Sequence, residues 1–271
     1  MNATLFSRFR NVIYDHSGIN LVEGKQVLLQ SRISKRMRTL GIENEEVYLD
    51  QVIADPSGEE MVLLLDAIST NVTYFFRETD HFDLLRNALN DWLSAGQSRF
   101  RIWSAACSTG QEPYTIGMTA LDCLRQAALR GVDLRILATD ISTRALEAAM
   151  EGEYAEREVD RVSLDHRNRY LQSVKTSGNI HYRVGDELRR LLTFRRLNLS
   201  QPPFPMRGPL DAVFCRNVMI YFDNQVRARL VGEIARLLKP GGLLFIGHAE
   251  SLLGVNAGLQ TVAPSVYKKR P

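Results

Sequence analysis

From Arg99 to the C-terminus short apolar runs alternate with helical segments, and that alternation restricts the fold more than any other feature of the 271 residues. Residues 101–107, 134–139, 192–199, 212–215 and 243–246 are strand candidates, and helices fit between them at 112–129, 144–150 and 225–238. Such alternation predicts a mostly parallel sheet with helices on both faces and a ligand site beyond the carboxyl ends of the strands. The expected class is α/β, doubly wound and Rossmann-like. Residues 1–68 instead read as helices. Leu5, Phe9, Val12 and Ile13 recur at helical spacing, as do Leu29, Ile33, Met37 and Leu40, with no competing strand pattern. The expected organisation is an N-terminal all-helical domain (1–68), a connecting, ligand-contacting segment (69–98) and an α/β domain (99–271). Within the last, residues 155–191 are polar, with a weak strand signal in "NIHYRV" beside a turn at 177–179, which predicts a small inserted β-subdomain. Two β-prone runs flanking Pro264 suit a closing hairpin at the sheet edge.

Charge narrows the class of partner. The net charge of +3 hides seven Lys/Arg against two Asp/Glu within residues 1–40, leaving 27 against 29 elsewhere. On the second helix Arg32, Lys35 and Arg36 fall on one side with Arg38 further round, either as a solvated face or as a docking surface for an acidic partner. The patch is too small for a dedicated nucleic-acid binder. No apolar run approaches the roughly 20 residues that span a bilayer, and no secretory signal is legible, so a cytoplasmic protein without membrane insertion is expected. Cys107, Cys123 and Cys215 are odd in number and far apart, and the five histidines show no ligand spacing, so reduced thiols and no metal are expected.

The chemistry concentrates where strand 101–107 meets its helix, in "WSAACSTGQEPYT". Neither the dinucleotide pattern G-x-G-x-x-G nor the P-loop G-x-x-x-x-G-K-[ST] is present, and Glu112 adds a negative charge that would repel phosphate. Such a site favours a ligand presenting a cation or hydroxyl groups, although an acid in a first helical turn also suits the helix dipole. Asp140 ends the next strand, where a carboxylate accepts hydrogen bonds from ribose hydroxyls or caps the following helix. Together Glu112 and Asp140 describe an adenosine ligand that lacks phosphate and carries positive charge, as S-adenosylmethionine does. Its carboxylate needs an Arg fork, and "STNVTYFFRE", residues 69–78, offers Asn71, Thr73 and Arg77, with interdomain packing as the alternative use.

These stretches, with "LATDIS", "FRRLNL", "DAVFCRNVMIYFDNQ" and "LKPGGLLFIGHAES", resemble the chemotaxis receptor methyltransferases, the CheR family, from the N-terminal helices to about Leu253. The resemblance implies methyl transfer from S-adenosylmethionine to glutamate side chains on the cytoplasmic helical domain of chemoreceptors, giving a methyl ester and S-adenosylhomocysteine. It also implies that Asn71, Thr73, Arg77, Glu112 and Asp140 contact the cofactor. Asn198 and Leu199 border its adenine, Arg216 and Asn217 lie near its methionine part, and Tyr221 stands close to the transferred methyl. Tyr221 and Arg216 are then the candidates to orient the acceptor, with an aromatic core position as the alternative for Tyr221. Arg32, Lys35, Arg36 and Arg38 become a receptor-docking face. One departure is that "QSVKTSGNIHYRV" holds a single glycine where some members have a glycine-rich loop for a receptor pentapeptide tether, which implies weak or no tether binding. Two competing readings are methylation of a different acceptor and a module that senses the cofactor without turnover.

Overall fold

A computed structural model of the chain describes residues 1–176, 179–255 and 257–271. Four helices come first: α1 (Ala3–Ser17), α2 (Gln26–Leu40), α3 (Glu45–Ala54) and α4 (Glu59–Ile68). The Asn2 and Asn44 side chains accept backbone N–H groups at the starts of α1 and α3, caps that contribute about 1 kcal/mol each. Phe9, Ile13, Ile33, Tyr48, Leu49 and Leu64 form the core of this bundle. Leu40, expected in the apolar stripe, is exposed because α2 ends on it.

The segment expected as a connector contains α5 (Asp80–Ser94). Phe82, Leu85, Leu89 and Leu93 repeat at three- and four-residue intervals, which gives α5 one apolar face, and that face packs on the sheet. The α/β elements follow as β1 (Arg99–Ser104), α6 (Gln111–Gln126), β2 (Asp133–Asp140), α7 (Thr143–Glu151), β3 (Glu153–Ala155), α8 (Leu164–Tyr170), β4 (Leu171–Thr176), β5 (Asn179–Val184), α9 (Asp186–Arg189), β6 (Leu192–Arg196), β7 (Leu210–Cys215), α10 (Asn224–Leu237), β8 (Leu238–Ile246), β9 (Leu259–Ala263) and β10 (Val266–Lys269).

Seven strands form one sheet in the order β6-β2-β1-β7-β8-β10-β9. The first five are parallel, and β10 and β9 close the edge as an antiparallel hairpin around Pro264. Alternate residues serve opposite layers. Phe100, Ile102, Phe214 and Phe245 face α5 and α6, whereas Trp103, Val213, Leu244 and Ile246 face α10. Strand order reverses between β1 and β7, which opens a crevice at their carboxyl ends. The separate sheet β3-β5-β4 is inserted between α7 and β6 and packs against α6 through Tyr154, Tyr170 and Val184. Of its expected turn, Ser177 and Gly178 lie outside the described residues.

The helical bundle is tied to the α/β layer on the crevice side. Asp66 of α4 accepts Thr143 N (2.9 Å) and Thr143 Oγ1 (2.7 Å) at the start of α7. Asn20 N donates to Tyr221 O (2.8 Å), and Tyr14 donates its hydroxyl to Asp223. These bonds hold the α1–α2 connection over the strand tips.

Candidate functional site

The turn from β1 into α6 is built by backbone geometry. Gly110 caps α6 at φ 98°, and a Cβ on it would stand 2.8 Å from Tyr154 Oη and 3.0 Å from Ala149 Cβ, so only glycine fits. Ser108 N donates to Asp140 Oδ2 (2.8 Å), and Ser108 Oγ donates to the Asn71 carbonyl (3.1 Å). The tips of β1 and β2 and the segment after α4 are thereby stitched together. A cavity of about 480 Å³ opens there. The size suits a small-molecule ligand.

Glu112 is not used as a cap. Its carboxylate turns toward β1, where Oε1 accepts Ser104 Oγ (2.7 Å) and Oε2 faces Arg216 Nη1 (3.2 Å). Arg216, just beyond β7, is buried between two acids. Its Nη2 and Nε donate to Glu78 Oε2 (3.0 and 3.3 Å), its Nη2 also donates to the Arg77 carbonyl, and its guanidinium stands over the Phe82 ring. Two cations, Arg216 and Arg77 (its Nε 4.0 Å from Glu78 Oε1), thus face the two part-buried carboxylates of Glu78 and Glu112. Burial pushes the Glu112 carboxyl above its usual range, with Arg216 and Ser104 pulling the other way. Burial also pushes Glu78 upward, but the Arg216 charge and its hydrogen bonds outweigh that and leave Glu78 below the ordinary range.

Asp140 does not cap α7 either, because Ser142 does so by accepting Ala145 N. Besides Ser108 N, Asp140 accepts Ser142 N at Oδ1 (3.0 Å), and each of its oxygens keeps a second lone pair. Burial raises its pKa, opposed by these N–H donors. Asn71, Thr73, Arg77, Glu112, Asp140, Asn198, Leu199, Arg216, Asn217 and Tyr221 all line the one cavity. Arg77 spends Nη1 on the Val72 carbonyl (2.9 Å), and Asn198 spends its amide on the His16 carbonyl (2.8 Å). Tyr221 is half-exposed at the wall while its neighbour Phe222 enters the core, so the tyrosine is not a core aromatic.

Several groups at the site escaped sequence reasoning. Glu78 fixes Arg216 and also accepts Asn217 Nδ2 (3.3 Å). Glu250 accepts Gly247 N (2.6 Å), Asn217 N (2.9 Å) and Ile220 N (3.3 Å), fixing the loop that carries Tyr221. A Cβ on Gly247 would displace the Asn217 amide, whose Nδ2 it would meet at 2.4 Å, and would stand 3.0 Å from Asn217 N. The α1–α2 connection adds Ile19, Asn20 and Val22 to the cavity wall, so the helical domain is part of the site. Phe76, Glu78, Ser108 and Asn217 have φ between 50° and 58°, a costly region for residues other than glycine. All four lie in the loops that meet at the cavity, where the surrounding bonds hold them.

The basic face divides in two. Arg32 Nη1 donates to the Ala67 and Ser69 carbonyls (3.3 Å each), and Arg36 forks onto Glu60, which also accepts Tyr48 Oη (2.9 Å). Lys35 and Arg38 are exposed. The histidines show no ligand spacing along the sequence, but the fold brings His81 and His248 beside Glu78. Among the described residues, no helix is long and apolar enough to cross a membrane.

Comparison with known proteins gives two matches that adjoin in the chain. The all-alpha domain of the CheR methyltransferases matches residues 4–69, and their SAM-binding domain matches residues 71–267. The chemotaxis protein methyltransferase of Borreliella burgdorferi is 37% identical over 268 residues, covering 97% of this chain and 93% of the relative. Chemotaxis protein methyltransferase 2 of Pseudomonas aeruginosa is 37% identical over 264 residues, covering 97% and 91%. The chemotaxis protein methyltransferase of Escherichia coli K12 is 37% identical over 262 residues, covering 97% and 88%.

Proposed function

The chain belongs to the CheR methyltransferase family, and from that premise we propose that it is a protein-glutamate O-methyltransferase, transferring a methyl group from S-adenosylmethionine to glutamate side chains of chemoreceptors in chemotactic adaptation. The observation that carries the reading is the convergence of Glu112, held by Arg216, with Asp140 and Arg77 on the walls of one cavity. S-adenosylmethionine carries a net positive charge and two ribose hydroxyls, and its chemistry fits that donor set. Asp140 holds the ribose, Glu112 the cationic end and Arg77 the carboxylate, while Asn71, Thr73 and Asn217 complete the polar wall. Leu199 and Asn198 border the adenine.

When bound, the cofactor supplies an electrophilic methyl on sulfur. An acceptor carboxylate would bond to that carbon as the C–S bond broke, which would leave the ester and the neutral thioether S-adenosylhomocysteine. A glutamate side chain in water titrates near about 4.3, so the acceptor is already ionised at neutral pH and no general base is required. The protein's task is alignment and exclusion of water, and orientation supplies roughly 7–11 kcal/mol of barrier lowering. Arg216, clamped by Glu78, sets the position of the wall facing the methyl, and Tyr221, held through the Glu250 loop, orients the acceptor. Tyr221→Phe removes one hydrogen bond to a charged acceptor, about 1.5–3 kcal/mol, so kcat falls about 10- to 100-fold. Cofactor affinity measured by calorimetry stays unchanged. An unaltered kcat refutes the role.

Receptor docking falls to the exposed cations. Lys35→Glu with Arg38→Glu raises KM for a receptor cytoplasmic fragment about tenfold at low salt, less at high salt, and leaves cofactor affinity alone. An unchanged KM removes the docking face from this helix. Arg36→Glu is unsuited to that test because it strands Glu60 in the bundle. Binding of a receptor pentapeptide tether is expected to be weak or absent, and tight calorimetric titration of such a peptide overturns that. Mapping methyl esters on the fragment by mass spectrometry tests the activity itself. Modified glutamates are expected, and methylated lysine or arginine overturns the reading.

A further inference from the structure

His81 is fully buried at the start of α5, and neither of its ring nitrogens has a hydrogen-bond partner among the described residues. Buried polar atoms without partners are rare enough to require a reason. His81 Nδ1 lies 3.6 Å from Glu78 Oε2, and the His248 ring stands edge-on to His81 with centroids 4.9 Å apart. One donor atom from each of Glu78, His81 and His248 falls within 4.8 Å of the others. Asp80 accepts His248 Nε2 at 3.1 Å and adds a second carboxylate on the outer side. His248 is half-exposed, which gives an ion a way in from solvent.

Two imidazoles with one carboxylate suit zinc, whose protein sites commonly use three such ligands and leave a fourth position open, whereas Mg²⁺ takes oxygen donors. We propose that Glu78, His81 and His248 bind a borderline transition-metal ion of the zinc type and that its binding inhibits methyl transfer. The inhibition follows from geometry. Donors in a tetrahedral zinc site stand about 3.3 Å apart, given Zn–N bonds of about 2.0 Å. The group must therefore contract. His81 is locked in the core, so the movement falls to His248 and to the Glu78 carboxylate. Glu78 Oε2 is the oxygen that holds Arg216. Drawing it toward His81 loosens Arg216 at the wall of the cavity, and repulsion between the ion and the guanidinium adds to the displacement. The metal site rests on the side-chain cluster alone, whereas the inhibition rests on the proposed transfer reaction.

The test uses the full-length protein and zinc chloride. Competition against a chromophoric zinc chelator reads metal binding without any acceptor, and methyl transfer is assayed in parallel. Expected results are zinc binding at micromolar concentration, loss of transfer on titration, recovery with EDTA and no effect of Mg²⁺. His248→Ala and His248→Gln keep the basal rate and need at least about tenfold more zinc for inhibition. Wild-type protein that fails to compete for zinc overturns the site. Binding without loss of transfer overturns the inhibition, and equal inhibition of the His248 variants overturns the assignment of the ligands.

Discussion

Arg216→Ala is expected to cost about 3–5 kcal/mol of stability at neutral pH, because it removes the buried guanidinium that both Glu78 and Glu112 bond and leaves Arg77, 4.0 Å from Glu78, as the neighbouring cation. At roughly 2–4 °C per kcal/mol for a chain of this size, the melting temperature falls by about 10 °C. The direction of the pH dependence is fixed by linkage. In the native protein Glu112 already sits above the ordinary carboxylate range through burial, and removing Arg216 takes away the charge that opposes this. The folded variant then binds more protons than the unfolded chain between the unfolded pKa and the raised folded pKa, so its stability increases as pH falls through that window. Thermal melts of variant and wild type across pH check both statements. A variant as stable as wild type at neutral pH refutes the account of the buried triad. Arg216→Lys separates stability from chemistry. A point charge cannot fork between Glu78 and Glu112, so this variant folds but loses transfer on the order of 10²-fold through misplacement of the cavity wall.

Asp140→Ala should raise the dissociation constant for S-adenosylmethionine about 10²-fold. Two hydrogen bonds from ribose hydroxyls to a carboxylate contribute about 3 kcal/mol together, and each 1.4 kcal/mol is tenfold. The alanine variant also releases the N–H groups of Ser108 and Ser142, which loosens the turn against Asn71. Asp140→Asn keeps an acceptor oxygen in the same volume, so an intermediate loss is expected there. Calorimetric titration of the folded variants decides the matter. Wild-type affinity in Asp140→Ala would remove the ribose from the β2 tip.

Much of the architecture was legible because periodicity reports which faces are buried. The alternation after Arg99 marked the parallel strands, and the spacing of Phe9, Ile13, Leu29, Ile33 and Met37 marked the bundle. Boundaries were less legible for a physical reason. Ala105, Ala106 and Cys107 are apolar but belong to the turn after β1, and Leu197 and Leu199 pack in the core after β6 has ended. Buried apolar residues in a turn carry the same sequence signal as those in a strand. In α5 the signal was present in Phe82, Leu85, Leu89 and Leu93, but it stood in a segment read for its polar groups.

Most of the cavity-lining residues named from the sequence share a short-range signature, since they sit at a strand tip, in a loop next to one or, for Glu112, in the first turn of the helix that follows one. Their partners do not. Glu78 and Arg216 are 138 residues apart, and no local pattern pairs them or exposes the unmatched His81 beside them. The division of the basic helix was hidden for the same reason, because Glu60, Ala67 and Ser69 claim Arg36 and Arg32 only after α4 has packed on α2. A helical wheel gives direction without occupancy.

The most direct test incubates the protein with methyl-labelled S-adenosylmethionine and membranes containing a panel of chemoreceptors, followed by mild base. Label entering the receptors and leaving as volatile methanol is the expected result, because glutamyl methyl esters hydrolyse under those conditions. Label that survives base, or cofactor binding with no label in any receptor, would contradict carboxyl methylation of receptors by this cavity.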